Sequence, residues 1–297
     1  MDEHMNGHLI AALLAASLCQ CSSATEPTTE LDVPSPVAVG ATVTVKEKCA
    51  GASCASTLKL DQARVEDASV FGVEGAQPNA QVTSLRLEAL RAGSTVFRVR
   101  TDDGRTVRTV ERTLLAAVPD KLTFAVPACS APLLFGTDHT FSLGVNRFVG
   151  SVPLQGSGGV YPLAAEGAEL AGPTGLSFKT SSRPTKGSIR SLVNPAAVPF
   201  EVYAVANVTS MTLQSAKKEL KTGVQFVVDS KLLVGSDPLC ADSFPRTVTS
   251  ETPSICDVVS ASGAVVNVLG RRSGTCTIKA ALAGSAVEAQ SSFTIQN

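Results

Sequence analysis

The cysteines are the residues of this chain whose type and spacing most directly offer chemistry. Beyond residue 24 the sequence contains Cys49, Cys54, Cys129, Cys240, Cys256 and Cys276. Thiolates can ligate zinc, but a structural zinc site needs four cysteine or histidine ligands with tight local spacing. Since only Cys49 and Cys54 form such a close pair, the cysteines predict disulfides and no metal site.

The predicted disulfides join cysteines that are close in sequence or that flank a hairpin. Cys49 and Cys54 can close a small loop, while Cys256 and Cys276 lie on two strands either side of a hairpin region at 264–269. Cys129 and Cys240 then remain, and they can bridge the second and third units defined below. The alternative pairs Cys240 with Cys256 or Cys276. An even number of cysteines is typical of an exported protein with a disulfide framework.

Nucleophilic catalysis would have to depend on His139, the only histidine after residue 24. No G-x-S-x-G elbow or cysteine-protease signature accompanies this residue, so we expect a solvent-facing or edge histidine. A hydrolase with His139 as general base is the alternative. The glycine-rich segment 155–160 lacks the lysine of a phosphate-binding loop and is expected to connect two strands. The sequence therefore predicts neither catalytic residues nor a cofactor.

One segment offers candidate ligand contacts. Residues 177–191 read SFKTSSRPTKGSIRS and contain no acid. Their four cations are Lys179, Arg183, Lys186 and Arg190. As a loop beside aromatic residues, this segment is suited to an anionic polysaccharide or the acidic face of a protein. The competing interpretation is an ordinary solvated loop.

The composition favours β-structure. Hydrophobic residues make up 44% of the chain, there is no Trp, and Gly (23) and Pro (16) supply many turns. One short helical candidate, residues 215–221, has the character of a linker. Lys and Arg number 25 against 26 Asp and Glu, so no strong positive field favours a nucleic acid partner. The expected fold class is all-β.

The first residues predict export. Residues 9–18 (LIAALLAASL) form an apolar run too short to span a bilayer but of the length of a signal-peptide core. Cys19 and Cys21 follow, and then a polar tether at 25–36. The pattern resembles a bacterial lipoprotein, which implies acylation of one cysteine and anchoring to the membrane. Cys21 is favoured because its acylation leaves an even number of other cysteines beyond it. Ordinary cleavage after Ala24 is the alternative.

An internal repeat predicts the domain organisation. The segments VAVGAT, LLFGTD and LLVGSD place Gly40, Gly136 and Gly235 at intervals of 96 and 99 residues. A period of this size is typical of one β-sandwich domain. The expected units are a signal segment at 1–24, the tether at 25–36, and sandwiches at 37–118, 119–217 and 218–297. The middle unit is expected to be atypical.

Alternation of apolar and polar residues predicts individual strands. In residues 37–45, four valines share one face. Near residue 100, Phe97 and Val99 are expected to face inward, and the Asp103-Gly104 pair is expected to form a hairpin turn.

Two matching stretches connect the first and third units. Residues 69–73 (SVFGV) correspond to 254–258 (SICDV), and residues 92–99 (AGSTVFRV) correspond to 273–280 (SGTCTIKA). These motifs resemble the bacterial immunoglobulin-like domains that occur in tandem in surface proteins. The resemblance covers about 45 residues of the third unit best, and it implies sandwiches that act as structural spacers or adhesion modules.

Together these features predict a non-enzymatic, exported protein at the outer membrane, cell surface or periplasm of a bacterium. Its expected partners are the membrane, through the lipid anchor, and a protein or polysaccharide ligand. The alternative is a secreted or periplasmic protein that binds glycan or protein through the basic loop of the middle unit.

Overall fold

The structure is a computed structural model, and it describes residues 30–48, 58–74, 81–104, 106–126, 129, 132–172, 176–217 and 220–297. The signal segment at 1–24 lies outside these residues, as do residues 25–29 of the tether and Cys19, Cys21, Cys49 and Cys54. In the described part the chain folds into strands, with one 3₁₀ turn at Val205–Asn207. The predicted all-β class is confirmed.

The first sandwich packs two sheets face to face. Its strands are β1 (Glu30–Asp32), β2 (Val37–Ala38), β3 (Ala41–Lys48), β4 (Lys59–Val65), β5 (Phe71–Glu74), β6 (Ser84–Ala89), β7 (Gly93–Asp102) and β8 (Val107–Ala117). One sheet has the order β1-β3-β6-β5 and the other β2-β8-β7-β4. The short strand β2 runs parallel to β8, whereas the other pairs are antiparallel. This is an immunoglobulin-like arrangement.

The second sandwich follows the same plan with an insertion. Its strands are β9 (Lys121–Ala125), β10 (Leu133–Gly136), β11 (Thr140–Ser142), β12 (Gly144–Val149), β13 (Val152–Pro153), β14 (Ser157–Gly158), β15 (Leu163–Glu166), β16 (Ala168–Leu170), β17 (Ser177–Thr180), β18 (Thr185–Ser191) and β19 (Ala197–Tyr203). One layer is β10-β19-β18-β15, with β10 parallel to β19. The other layer is split into β13-β12-β9 and β11-β17-β16. The β13–β14 segment is the insertion.

The third sandwich returns to the order of the first. Its strands are β20 (Ser210–Gln214), β21 (Leu220–Lys221), β22 (Gln225–Val234), β23 (Asp237–Pro238), β24 (Arg246–Ser250), β25 (Cys256–Ser262), β26 (Val265–Gly270), β27 (Gly274–Leu282) and β28 (Glu288–Gln296). The sheets are β20-β22-β26-β25 and β21-β28-β27-β24, and β21 is parallel to β28.

The matching stretches of the first and third units occupy equivalent places. Gly93 (φ +154°) opens β7 and Gly274 (φ +143°) opens β27. A Cβ on Gly93 would lie 3.1 Å from a methyl group of Val70, and one on Gly274 would lie 3.1 Å from Ile255. Each glycine therefore lets the preceding loop close over the start of its strand.

Two sequence predictions differ from the structure. The stretch 37–45 is not one strand, because a turn at Gly40 (φ +76°) moves the chain from β2 in one sheet to β3 in the other. Gly235 follows β22, which is the third sandwich's equivalent of β3. The turn that matches Gly40 is at Gly223 (φ +76°), between β21 and β22. The three-glycine repeat was therefore misaligned at its third member, and also at its second, where Asp138 (φ +55°) occupies the turn position of Gly40 and Gly136 lies two residues earlier in β10.

Strand pairing also moves two of the expected domain boundaries. Strand β1 pairs with β3, so Glu30–Asp32 belong to the first sandwich and not to a free tether. Strand β20 pairs with β22, so the third sandwich includes Ser210–Gln214, and the expected boundary at 217/218 is too late.

The hairpin and burial predictions near residue 100 agree with the structure. Strands β7 and β8 pair directly, and Gly104 (φ +82°) donates its N–H to Asp102 Oδ1 at 2.8 Å. Phe97 and Val99 are almost completely buried. Inward side chains such as these form the first of three hydrophobic cores in the described residues.

Candidate functional site at the domain junctions

The insertion of the second sandwich attaches to the first sandwich, and we call residues 150–160 the hook. Strand β14 adds to the edge of β3, with Ser157 opposite Thr42 and Gly158 opposite Ala41. The Gln155 N–H donates to Pro36 O at 2.8 Å. Leu154, 8% exposed, packs in the hydrophobic core of the first sandwich. The glycine-rich segment thus pairs with a neighbouring domain instead of simply joining two strands.

Arg147 supports the hook from the second sandwich. Its side chain is 4% exposed, and its Nη1 and Nη2 donate to Gly158 O at 2.6 Å and to Gly156 O at 2.7 Å. The guanidinium lies 4.5 Å from the centre of the Tyr161 ring. Burial lowers the pKa of Arg147, and Tyr161 opposes that shift. The side chain remains a cation, because arginine titrates far above neutral pH. It fixes the shape of the hook.

The hook also needs its glycines. Gly159 has φ +84°, and a Cβ there would lie 2.8 Å from Ala41 N. Gly156 has φ +102°, and its Cβ would lie 2.9 Å from Ala41 Cβ. Only glycine permits this approach of two backbones.

The second and third sandwiches meet along β10. Cys240 N–H donates to Leu134 O at 2.7 Å, and Gly136 N–H donates to Ala241 O at 3.0 Å. Phe135 and Ala241 form a parallel bridge. Leu134, 5% exposed, packs in the core of the third sandwich although its strand belongs to the second. The two domains therefore share both backbone hydrogen bonds and hydrophobic packing.

A buried ion pair lies next to this contact. Arg246 Nη2 donates to Asp242 Oδ2 at 2.7 Å, and the two side chains are 1% and 4% exposed. The other carboxylate oxygen of Asp242 accepts the Phe244 N–H at 3.1 Å. A Cβ on Gly136 would lie 2.9 Å from Asp242 Cβ and 3.0 Å from the Phe244 ring. The pair thus shapes the loop against which β10 packs.

His139 takes part in the second junction. Its Nδ1 lies 2.9 Å from Ser243 Oγ, and its ring stacks on Phe135. Burial lowers the pKa of His139, and the charge of Asp242 opposes the shift. Where a solvent-facing or edge histidine was expected, the structure places His139 half-buried between two domains, directly before β11, which is an edge strand of its sheet. A Ser–His contact is the first element of a hydrolase triad, but the nearby Asp242 carboxylate binds Arg246 and Phe244. The contact between His139 and Ser243 therefore serves to join the second and third sandwiches.

The four cations of the expected contact loop are spread over two sheets. Lys179 lies on β17, Lys186 and Arg190 lie on β18, and Arg183 lies between these strands. Lys179 Nζ is 3.4 Å from Asp138, and Lys186 Nζ is 3.0 Å from Glu201. The segment is therefore two strands and a turn, not a loop, and two of its charges have carboxylate partners.

A polar cleft adjoins Lys179. It measures about 380 Å³, and its lining also includes Asp138, Glu169 and Thr180. Because both signs of charge line the cleft, its electrostatics do not select an anionic ligand.

The structure joins Cys256 and Cys276 with an S–S distance of 2.01 Å. The two residues lie on β25 and β27, in opposite sheets, so the bond crosses the core and does not join neighbouring strands. In the first sandwich the equivalent residues are Phe71 and Thr95, which are both buried.

Cys129 and Cys240 are half-buried thiols in the second junction. Because the structure joins Cys256 to Cys276, it does not contain the alternative pairing of Cys240 with either of them.

Neither a cluster of metal ligands nor a membrane-spanning helix is found in the part of the chain that the structure describes. There, no three His, Cys, Asp or Glu side chains come together as metal ligands. No described helix is long and apolar enough to cross a bilayer.

Sequence reasoning missed the buried charges. Arg147 shares its face of β12 with Val145 and Val149, and a cation at an inward position of a strand is a readable signal. Asp242 lies in an irregular stretch four positions before Arg246, which begins β24, and no periodic pattern marks this pair.

No family model matches this chain, and no curated protein matches it in sequence. The chain is similar to the solved structure of domains 4–9 of the surface layer protein SbsC, at 13% identity and a TM-score of 0.27, over 86% of this chain and 42% of that one. It thus spans less than half of that structure. It is also similar to the Escherichia coli adhesin FdeC, at 14% identity and a TM-score of 0.27, over 90% and 96% of the two chains. The D00–D0 domain of intimin matches at 10% identity and a TM-score of 0.26, over 60% and 100%.

Proposed function

We propose that this chain is a non-enzymatic module of the bacterial cell envelope. In this proposal the sandwiches form a stiff spacer that holds an adhesive or interacting surface at a fixed distance and orientation. The proposal rests on the contacts that hold the sandwiches together at both junctions. At each one, a segment of the second sandwich both hydrogen-bonds to and packs in the core of its neighbour, through Leu154 at the first junction and Leu134 at the second.

Short connections support the same role. Only residues 118–120 separate β8 from β9, and residues 204–209, which include the 3₁₀ turn, separate β19 from β20. Domains joined by long flexible linkers reorient freely, whereas short linkers with shared cores restrict the angle between domains. A spacer needs this restriction because its tip must stay away from the surface to which its base is attached.

Stiffness can be tested by small-angle X-ray scattering. The wild-type chain should scatter as one elongated particle, and a short Gly-Ser insertion after Val118 should broaden its distribution of interatomic distances. A matched control places the same insertion in the exposed turn at Gly263, where it should leave the interdomain geometry unchanged. If the wild type already scatters like freely jointed domains, the spacer proposal is wrong.

Export and anchoring belong to the proposal on the strength of the first residues of the sequence. The apolar run at 9–18 and the cysteines after it predict a lipid on Cys21 or Cys19. Mass spectrometry of the native protein should show a diacyl or triacyl cysteine. A mature chain that begins at Thr25 without a lipid would exclude the anchor and leave the spacer role intact.

A further inference from the structure

We propose that Cys129 and Cys240 are a site of oxidative cross-linking, and that a disulfide between them fastens the second sandwich to the third. This inference goes beyond the spacer role, because it adds a covalent and reversible bond at one of the two junctions. It does not depend on what the protein adheres to.

The backbone at Cys240 is already held against the second sandwich. The Cys240 N–H donates to Leu134 O at 2.7 Å, and the next residue, Ala241, accepts from Gly136 N–H at 3.0 Å. Cys129 precedes Leu134 by five residues in the connection that leads into β10. The fold thus brings residues 111 positions apart in sequence to the same end of one strand.

Both thiols share their surroundings. They pack against the same hydrophobic core, that of the second sandwich. They also line the same cavity of about 260 Å³, whose other walls come from the third sandwich, including Ser230, Leu232 and Leu239. Burial raises the pKa of the Cys240 thiol to about 12, and the neighbouring Cys129 thiol raises it as well. The shared core and the shared cavity place the two thiols on the same side of the second junction.

The cross-link forms by thiol–disulfide exchange with a small disulfide or a disulfide-bearing oxidoreductase. One thiol of the pair loses its proton, and its thiolate attacks a sulfur of the oxidant, which releases one thiolate and leaves a mixed disulfide. The second thiol of the pair then loses its proton and displaces the remaining half of the oxidant. The protein loses two electrons and two protons, and the oxidant becomes two thiols. Because the attacking species is the thiolate, the rate should rise with pH.

The bond should hold the junction closed. Opening of the second junction breaks the Gly136 and Cys240 amide hydrogen bonds, and a covalent link beside them limits that opening. We expect these two amides to exchange with deuterium about tenfold more slowly in the oxidised chain than in a Cys129→Ser chain.

The experiment treats the full-length chain with oxidised glutathione, alkylates remaining thiols and maps the peptides without reduction. The expected result is a cross-linked peptide containing Cys129 and Cys240, with neither residue alkylated. In Cys129→Ser, Cys240 should instead carry glutathione or the alkylating group, and Cys240→Ser should give the reciprocal result. The Cys256–Cys276 peptide is the internal reference for correct folding.

The proposal is overturned if Cys129 and Cys240 of the wild type stay alkylated or each carry glutathione while the reference bond is intact. It is also overturned if a cross-link forms but the two amides exchange at the same rate with and without it. Neither result would bear on the scattering test of stiffness, so failure of this inference and failure of the spacer role remain distinguishable.

Discussion

Arg246 and Asp242 form an ion pair with an N–O distance of 2.7 Å, and their side chains are only 1% and 4% exposed. Asp242 lies in the loop of the third sandwich that packs on Gly136 of the second, and Arg246 begins the strand β24 that follows this loop. Two charges at this depth are tolerated only when each is compensated by the other and by hydrogen bonds. The second junction therefore depends on both partners.

Replacement of one partner should be costly. We expect Asp242→Asn to lower the free energy of unfolding of the third sandwich by about 3–5 kcal/mol, because the Arg246 charge stays buried without a counter-charge. Calorimetric unfolding would measure the loss. Asp257→Asn is the matched control, since Asp257 pairs with Arg271 in an exposed position and should cost less than about 1 kcal/mol. Equal losses in the two variants would contradict the assigned role.

A methyl group at Gly136 should disturb the second junction. We expect Gly136→Ala to destabilise the chain by about 1–3 kcal/mol, because the added carbon would lie 2.9 Å from Asp242 Cβ. Gly172→Ala is the control, since a Cβ there meets no atom within 4 Å. Thermal unfolding and deuterium exchange at Cys240 would report the change. A Gly136→Ala variant as stable as the control would contradict the prediction, since the loop around Asp242 would then move to accommodate the added methyl group.

Loss of the Arg147 guanidinium should loosen the hook. In Arg147→Met, the carbonyls of Gly156 and Gly158 lose their donors, and we expect a loss of about 2–4 kcal/mol. Faster deuterium exchange where β14 pairs with β3 is the specific readout. Arg190→Met makes the same chemical change at an exposed site of the same sandwich and should leave that exchange unchanged.

The stability of the second junction should depend on the charge of His139. Its pKa lies below the ordinary value of 6.5, so in mildly acidic solution the unfolded chain binds a proton more readily than the folded chain. The stability that the folded state gains from a neutral His139 is therefore fully present above pH 6.5. It is lost as the pH falls from 6.5 through the lowered pKa of His139 in the folded state. Thermal midpoints of wild type and His139→Gln, compared between about pH 7.5 and about pH 5, would measure it. The wild type should lose more stability than the variant on acidification, and parallel curves would refute the prediction.

The cross-sheet disulfide should stabilise the third sandwich alone. Its loop spans a sequence separation of 20 residues, and the Cys256→Ala/Cys276→Ala double variant should lose about 3 kcal/mol. In calorimetry, the unfolding temperature of the third sandwich should fall. That of the first sandwich, where Phe71 and Thr95 occupy the equivalent positions, should stay unchanged. When both chains also carry Cys129→Ser, a reductant should lower the third transition temperature of the chain that keeps Cys256 and Cys276 and leave that of the Cys256→Ala/Cys276→Ala chain unchanged.

Local patterns predicted much of the fold because they depend on neighbours in the chain. Alternation identified the buried face of Phe97 and Val99, and the Asp103-Gly104 pair identified the hairpin, since a tight turn needs a residue with positive φ. Repeated letters placed Gly93 and Gly274 at equivalent positions. The similarity of the motif around Gly235 gave a wrong alignment. Strands of both sheets have the same two-residue period, so the period does not tell which sheet a strand joins.

The sequence by itself determined the strand character of this protein, its turns and the spacing of the cysteines that join across the third sandwich. Only the tertiary structure showed the junctions, where the hook pairs with β3 and where Cys129 and Cys240 line one cavity. Those contacts join residues more than 100 positions apart. The cysteine count offered Cys129 with Cys240 only as one of two alternatives, and no sequence pattern marked the pairing of the hook with β3. The buried charges of Arg147, Asp242 and Arg246 lie at the same junctions. Their partners are near in sequence, since Asp242 pairs with Arg246 and Arg147 donates to Gly156 and Gly158, but only the packing of the domains shows that these local pairs are buried.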